Sequence, residues 1–409
     1  MGIDTGNTAW VLLCATLVFF MTPGLAFFYG GMARSKNVLG TIMQSFFLMG
    51  LIGVEFCLLG YTMAFGDDIS GLIGGLNKLG LEGVGTAVME DTGIPEMAFV
   101  AFQAMFAIIT PSLISGAVPG RMKFGAYALF SLIWAICIYN PMAHWVWGGG
   151  FLAELGALDF AGGLVIHILS GVSALTLCLL LGKRQGYGRI PMLPHHMPMT
   201  ILGASILWFG WFGFNAGSAL GVGQLAANAL ITTLLAPAAA MVAWVVVEWM
   251  HHGKPTVFGA ASGCVAGLVA ITPAAGFVTP LGSFWIGVIG GVICYFAVAV
   301  LKNKLGYDDS LDAFGIHGIG GTWGAIATGI WATTEINEAG ANGLLYGETD
   351  LFVAQLISIV VAYALAVVGT FIIYKVLSAV MEMRLDKNAE TMGIDISEHG
   401  ESGYNQSSL

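Results

Sequence analysis

This 409-residue chain contains eleven runs of mostly apolar residues. The length of each run is close to that of a helix that crosses a lipid bilayer, which is about 20 residues. Hydrophobic residues make up 57% of the chain and charged residues only 9%, which leaves no stretch for a separate soluble domain. The sequence therefore predicts an all-α polytopic membrane protein with eleven transmembrane helices. The cores of the runs lie near residues 8–30, 38–65, 97–118, 125–146, 161–181, 198–220, 226–250, 257–277, 281–301, 312–332 and 351–380.

Lysine and arginine residues follow every second run, so that all of them except Lys78 fall on the same side of the predicted membrane domain. Because basic loops are retained in the cytoplasm, this asymmetry predicts an N-terminus outside and a C-terminus inside, in the cytoplasmic (inner) membrane. The first run is longer than the hydrophobic region of a signal peptide and has no basic residues before it. We therefore expect it to belong to the mature fold.

An odd number of runs suggests two five-helix halves and one additional helix. If residues 8–181 and 198–332 are equivalent halves, they enter the bilayer from opposite faces, which makes them inverted repeats with a site between them near the midplane. The last run, 351–380, would complete a membrane domain over residues 1–380. Residues 381–409 would form a cytoplasmic C-terminal tail.

Two histidines, His167 and His317, lie inside glycine-rich apolar runs where titratable groups are rare. Such a residue at bilayer depth is a functional-site hypothesis, although a histidine of this kind could equally be a packing residue. Each follows a Leu-Asp pair, Leu158-Asp159 and Leu311-Asp312, which predicts equivalent helices in the two repeats. The Asp159 carboxylate could cap the start of its helix or accept a proton, and capping is the favoured interpretation.

Aromatic residues recur at helical spacing in two runs. Phe102 and Phe106 are four residues apart, and Trp211, Phe214 and Ser218 are three and four apart, so each set shares one helix face. These rings could face lipid or pack in the core. The alternative is a cation site, because aromatic faces attract ammonium-type cations and a serine hydroxyl accepts a hydrogen bond. The spacing alone does not decide between them.

Several other classes are disfavoured. The net charge of −10 argues against nucleic-acid binding. No cluster of three or four His, Cys or Glu residues accompanies the two histidines, so we expect no metal, no cofactor and no enzyme activity. The six cysteines are scattered singly and are interpreted as packing residues: Cys14, Cys57, Cys137, Cys178, Cys264 and Cys294.

Longer motifs point to a known family. They are Phe28-Tyr-Gly-Gly, Val146-Trp-Gly-Gly-Gly, Gly156-Ala-Leu-Asp-Phe-Ala-Gly-Gly-Leu-Val-Ile-His, Gly210-Trp-Phe-Gly-Phe-Asn-Ala-Gly-Ser-Ala, Gly267-Leu-Val-Ala-Ile-Thr-Pro-Ala and Phe314-Gly-Ile-His-Gly-Ile-Gly-Gly. Over nearly the whole chain, this pattern closely resembles the ammonium transporter (Amt/MEP/Rh) family, in its bacterial Amt branch. The resemblance implies two inverted five-helix repeats plus one helix, assembled as a homotrimer with one pore in each subunit.

The resemblance also implies roles for individual residues. Trp147, Phe102 and Ser218 match the external ammonium cage, and Phe106 and Phe214 match the paired rings that close the pore beneath it. His167 and His317 match the twin pore histidines, and Asp159 matches an essential carboxylate near the cage. Four further residues occupy motif positions with less defined roles: Trp211, Asn215, Thr272 and Tyr29. Ala313 departs from the family, because a branched residue is expected there.

These roles imply transport of ammonium or methylammonium. A bare monovalent ion faces a Born cost of tens of kcal/mol in an apolar lumen, but ammonium can lose a proton and continue as neutral ammonia, since a low dielectric disfavours its charged form. A membrane ammonium sensor with the same fold is the alternative function, and a membrane metalloenzyme is a more distant one.

The tail is polar and acidic, and taken alone it could be a disordered terminus. However, Gly393-Ile-Asp-Ile-Ser-Glu-His-Gly-Glu resembles the ordered tail of the family. That resemblance implies a PII-type nitrogen-regulatory protein as a partner at the cytoplasmic face.

Overall fold

The computed structural model describes residues 2–404, and within that range nine helices are long and apolar enough to cross a membrane. They are α1 (Thr5–Met32), α2 (Ser35–Phe65), α3 (Glu96–Ala117), α4 (Phe124–Glu154), α5 (Gly163–Leu181), α6 (Met197–Gly217), α7 (Gln224–His252), α9 (Pro280–Leu305) and α11 (Asp350–Val380). Two shorter helices are α8 (Val257–Ile271) and α10, which consists of a π turn, Phe314–Gly318, continued by Ile319–Trp331. The predicted polytopic helical architecture is confirmed, and runs eight and ten form the two shorter helices.

A small antiparallel hairpin is the main exception to the all-helical prediction. Its strands, β1 (Asp68–Ile69) and β2 (Ile73–Gly74), pair Asp68 with Gly74 and lie in the connection between α2 and α3. His144 of α4 holds the hairpin in place, since its Nε2 lies 2.8 Å from a carboxylate oxygen of Asp68. The hairpin thereby packs against the end of α4 that carries Trp147.

Glycines let the helices that surround the central lumen approach closely. On α6, a Cβ at Gly203 would lie 2.2 Å from the backbone nitrogen of Phe28 on α1. On α5, a Cβ at Gly171 would lie 2.1 Å from the backbone nitrogen of Gly318 on α10. Contacts this short are possible only without side chains, as at close helix crossings in membrane proteins. The α5–α10 crossing places His167 and His317 side by side.

The C-terminal segment forms two short helices, α12 (Lys387–Met392) and α13 (Ile394–His399), which pack against the membrane helices. The Asp395 carboxylate accepts a hydrogen bond from the backbone N–H of Gly40 at 2.9 Å, and the Glu398 carboxylate accepts one from Phe124 at 2.9 Å. Both carboxylates therefore satisfy backbone donors near the start of a helix, α2 or α4. The described part of the tail is folded on the helical domain and is not a disordered terminus.

Candidate functional site

A recess of about 360 Å³ lies where α3, α4 and α6 converge. It is lined by Met89, Phe99, Phe102, Gln103, Phe106, Val146, Trp147, Phe160, Ser218 and Leu220. The structure thus brings together the three residues of the predicted cage and one of the two predicted gate rings. Half of its ten lining residues are aromatic, and the faces of such rings attract cations.

Two hydrogen bonds fix the polar groups of the cage. The indole Nε1 of Trp147 donates to the backbone carbonyl of Asp159 at 2.8 Å, which orients the ring. The Ser218 hydroxyl donates to the carbonyl of Phe214 at 2.9 Å. Because the hydroxyl proton is engaged, the oxygen lone pairs of Ser218 are left to accept hydrogen bonds from a ligand. The arrangement suits a ligand that is a donor and carries positive charge.

Phe106 lines the recess, and Phe214 stacks against it. Their rings stack with centroids 4.3 Å apart and planes 23° apart, and both side chains are buried. Phe102 packs edge-on against Phe106 at 4.8 Å, and the Trp147 ring is perpendicular to Phe106 at 6.2 Å. The stacked pair lies between the recess, which Phe106 lines, and a second cavity, which Phe214 lines.

Beneath the rings lies a cavity of about 10 Å³, about the volume that one water-sized molecule requires. Its walls are almost entirely apolar except for the two histidines. They comprise Met21, Leu25, Phe28, Ile109, Leu113, Ile166, His167, Leu207, Trp211, Phe214, Val265 and His317. A hydrated cation does not fit such a space, whereas a single small neutral molecule does.

His167 and His317 form a direct pair in this cavity. Their Nδ1 atoms are 3.2 Å apart, and the ring planes differ by 16°. One Nδ1 must donate and the other accept, so each imidazole fixes the tautomer of its partner. Two imidazolium charges at this distance and in this apolar setting would carry a large desolvation and repulsion cost. A doubly protonated pair is therefore disfavoured.

The segments at which α5 and α10 begin, which carry the two histidines, have the same local structure. Both contain a π turn, Gly163–Ile168 and Phe314–Gly318, a local geometry that is frequent at functional sites. An aspartate eight residues before each histidine accepts backbone N–H groups of that turn, and these residues are Asp159 and Asp309. The match of Asp312 to Asp159 is therefore wrong by three residues, because the Asp312 carboxylate pairs with Lys302 instead.

The two capping carboxylates differ in the number of backbone N–H groups from which they accept hydrogen bonds. Asp159 accepts four bonds, from the N–H groups of residues 162, 163, 164 and 165, at 2.6–3.1 Å. Asp309 accepts two, from Ala313 and Phe314. Burial, together with the nearby charge of Asp312, raises the pKa of Asp309 to about 6, against the opposing effect of Lys302 and the N–H donors.

The four secondary candidates separate into two groups. Trp211 stacks on the His167 ring at 5.4 Å and donates from Nε1 to the Thr272 hydroxyl at 2.9 Å, so Thr272 orients a lumen residue. Asn215 donates to the Thr233 hydroxyl at 2.9 Å, and the Tyr29 hydroxyl donates to the carbonyl of Leu113 at 3.2 Å. In the described part of the chain, Asn215 and Tyr29 line neither the recess nor the lumen cavity.

A sequence model described as "Ammonium Transporter Family" matches residues 9–404. The chain belongs to the ammonium transporter family. It is 52% identical to the ammonium transporter of Bacillus subtilis (strain 168) over 407 residues. This alignment covers 99% of this chain and 100% of that protein. It is 44% identical over 403 residues to ammonium transporter Amt1 of Archaeoglobus fulgidus, with 98% of this chain and 100% of that protein covered. The predicted membership of the ammonium transporter family, based on the sequence motifs, is confirmed.

Solved structures of related proteins share the fold. Mep2 of Candida albicans superposes with a TM-score of 0.89 at 32% identity, covering 94% of this chain and 87% of that one. A protein described as "Sensor Amt Protein" gives a TM-score of 0.90 at 27% identity, covering 96% and 98%. The fold of the ammonium transporter family therefore extends over nearly the whole chain.

Sequence reasoning missed several residues of the recess. Gln103 lies between the two phenylalanines of the motif Ala101-Phe-Gln-Ala-Met-Phe, and its side chain faces the same recess. Met89 and Leu220 enter from connections between helices, where periodicity gives no signal. Gln103 could have been found, because a polar side chain inside an apolar run marks an inward-facing position.

Proposed function

We propose that this chain carries ammonium nitrogen across the cytoplasmic membrane, taking up ammonium at the recess and passing it inward as ammonia. The observation that supports this most is the succession of three elements along one path. An aromatic recess with a free hydroxyl acceptor is followed by the stacked rings of Phe106 and Phe214, and then by an apolar cavity that holds the histidine pair.

The proposed mechanism follows from the cost of charge at each position. In the recess, cation–π attraction of roughly 0.5–2 kcal/mol and hydrogen bonding to Ser218 favour ammonium over a neutral molecule. Beyond the rings the charged form loses its solvation, so the proton leaves and ammonia continues. Potassium has no proton to lose and is stopped there. The neutral histidines exchange hydrogen bonds with ammonia in a lumen that otherwise offers few polar partners.

We propose that the membrane domain contains eleven spans, with α8 and α10 added to the nine long helices. The N-terminus is outside and the C-terminus is in the cytoplasm, and each pore lies within one subunit of a homotrimer. The asymmetric placement of lysine and arginine supports this orientation. The paired π turns and capping aspartates of α5 and α10 support inverted repeats over about 8–181 and 198–332.

Uptake in cells tests the proposed function. In a bacterial strain without its own ammonium transporters, expression of this chain is expected to give saturable uptake of labelled methylammonium that ammonium inhibits. Uptake equal to that of the empty vector, with the protein present in the membrane, would contradict transport. Ligand binding without uptake would instead support the alternative of a membrane ammonium sensor, the function named for one structural neighbour.

Replacing Trp147 by leucine is expected to raise the half-saturating ammonium concentration by about twofold to thirtyfold, because it removes a cation–π contact worth roughly 0.5–2 kcal/mol. Discrimination against potassium is expected to fall, while the amount of protein in the membrane stays unchanged. The measurement is methylammonium uptake as a function of concentration, with and without potassium. Unchanged concentration dependence in a well-folded Trp147→Leu/Ser218→Ala variant would show that the cage does not bind substrate.

We propose that the folded tail is part of a docking surface for a PII-type nitrogen-regulatory protein. The basic connections on the same side offer complementary charge to such a partner. Truncation after Met383 removes α12 and α13 and is expected to abolish nucleotide-dependent binding of a PII protein to membranes that contain this chain. Co-sedimentation with full-length and truncated protein measures this. Equal binding to both, at matched amounts in the membrane, would exclude the tail from the docking surface.

A further inference from the structure

The His144 side chain joins α4 to the end of α2 and to the hairpin that follows it. The ring is buried, its Nδ1 lies 3.0 Å from the backbone carbonyl oxygen of Ala64, and its Nε2 lies 2.8 Å from a carboxylate oxygen of Asp68. Both partners are hydrogen-bond acceptors, whereas a neutral imidazole has only one N–H group to donate. The two contacts together therefore favour the imidazolium form of His144, paired with the Asp68 carboxylate.

The Asp68 side chain connects this buried ring to solvent, since 39% of it is exposed. The hydrogen bond from His144, together with one from the backbone N–H of Gly71, lowers the pKa of the Asp68 carboxyl below its ordinary value of 3.8. Asp68 therefore stays ionised between pH 5 and 8, the range in which histidine side chains change charge. Loss of the imidazolium proton in this range would leave a nitrogen lone pair facing an oxygen and weaken the contact.

Other titratable groups lie on the elements packed against this end of α4 or directly beside them. They are Glu55, Tyr61, Asp67, Lys78, Glu96, Cys137, Tyr139, Glu154, Asp159 and His167. Glu96 accepts hydrogen bonds from the tyrosine and the lysine at 2.6 Å, Glu55 from Asn140, and Asp159 from backbone N–H groups. Of the described ionisable side chains, that of Asp68 is the one within hydrogen-bonding distance of His144.

His144 also fixes the backbone that follows Trp147. Its carbonyl oxygen accepts hydrogen bonds from the N–H groups of Gly148 at 2.9 Å and Gly150 at 3.0 Å. A Cβ at Gly148 would lie 2.0 Å from the Ala64 carbonyl oxygen, the same atom that contacts the His144 ring. Because Trp147 is three residues, less than one helical turn, beyond His144, a displacement of His144 moves the Trp147 backbone.

The Trp147 ring depends on this backbone for its position. It lines the recess of about 360 Å³ and also a second recess of about 340 Å³, so open space borders the ring in both. The indole N–H is held by the Asp159 carbonyl at 2.8 Å. A ring that is only partly enclosed by packing is sensitive to small movements of the helix end that carries it.

We propose that the pair of His144 and Asp68 positions Trp147 for ammonium binding, and that loss of the imidazolium proton at raised external pH weakens this binding. The assignment rests on the proposed function. It makes His144 and Asp68 positioning residues, since neither of them is among the described residues that line the recess. The effect falls on the half-saturating concentration, because Trp147 belongs to the cage and not to the cavity below the rings.

Uptake of labelled methylammonium into proteoliposomes, measured against external pH at a fixed internal pH, tests the proposal. An alkylamine with a pKa of about 10, like that of lysine, stays protonated over this range, so the concentration of the charged substrate does not change. For the wild-type protein, the half-saturating concentration is expected to rise about twofold to fivefold between pH 5 and 8. This is the size of effect that a partly exposed ion pair supports.

Substitutions of the pair separate its charge from its hydrogen bonds. Asp68→Asn keeps an acceptor but removes the charge, so its half-saturating concentration at pH 5 is expected to match the wild-type value at pH 8 and to change little with pH. Asp68→Glu keeps the charge and is expected to retain the pH dependence. His144→Gln removes the titrating group and is expected to flatten the profile. If that variant does not reach the membrane, Asp68→Asn provides the test at a partly exposed position.

Trp145→Phe is the matched control. The Trp145 indole Nε1 donates to the carbonyl of Leu72 at 2.7 Å, so it joins the same hairpin to α4 without a titratable group. This variant is expected to keep the wild-type pH dependence. A profile flattened by Trp145→Phe as much as by Asp68→Asn would overturn the proposal, as would a flat wild-type profile or a wild-type profile in Asp68→Asn. Each of these results leaves the proposed function intact, whereas absence of wild-type uptake at every pH would overturn both.

Discussion

Asp159→Ala is expected to abolish transport by destabilising the helix start that carries His167. The substitution leaves four backbone N–H groups without an acceptor in a buried setting. Each unsatisfied buried donor costs about 1–3 kcal/mol, so the total loss is on the order of several kcal/mol. The measurement is the temperature at which detergent-solubilised protein loses its monodisperse state, alongside methylammonium uptake.

Asp309→Ala provides the matched control, since this carboxylate caps the equivalent turn with only two N–H bonds. A smaller loss of thermal stability is expected for it. If Asp159→Ala retains wild-type thermal stability but has no uptake, the carboxylate acts on the substrate or its proton and its main role is not structural. That result would reverse the interpretation of Asp159 as a cap.

Replacement of either pore histidine by alanine is expected to reduce ammonium-evoked current by roughly tenfold or more, by analogy with the loss of a group that orients a metal-ligating histidine. Each imidazole holds the other through the 3.2 Å Nδ1 contact, so one substitution disables both. Ammonia can still cross the enlarged apolar cavity, and its permeation is expected to persist. Current and internal pH recorded together separate these two effects.

The double variant His167→Ala/His317→Ala tests the coupling. If the histidines act as one unit, the double variant is expected to carry about as much current as either single variant, because the effects of coupled residues are not additive. Wild-type flux, current and selectivity in both single variants would show that the pair takes no part in conduction.

Much of the fold could be predicted because the physics of the bilayer is simple. An apolar run of spanning length has almost no alternative to a helix, and each of the eleven predicted runs contains one. The π turns could not be predicted, since an extra residue in a helical turn leaves no mark in the hydrophobic pattern. For the same reason the sequence match selected Asp312, while the π turn and its capping geometry select Asp309.

Site residues that share one helix face could be predicted from the sequence. Contacts between residues on different helices could not. Phe102 and Phe106 follow from spacing, but the stacking of Phe106 on Phe214 depends on how α3 and α6 cross. Asn215 and Tyr29 carry motif positions yet bond to neighbouring helices away from the cavities. Glu55 is an acidic residue in the middle of the second apolar run. Its carboxylate is buried and accepts a hydrogen bond from the side-chain amide of Asn140 at 2.9 Å, a contact between helices that the local sequence does not predict.

The most direct test of ammonium transport is the response of proteoliposomes that contain only this purified protein. A step in external ammonium should produce a change in internal pH that saturates with concentration, is far larger than in protein-free liposomes, and is not reproduced by potassium. A simultaneous current record would show whether the proton that leaves at the rings also crosses. An internal pH response equal to that of protein-free liposomes, with the protein folded and correctly inserted, would contradict the proposed function.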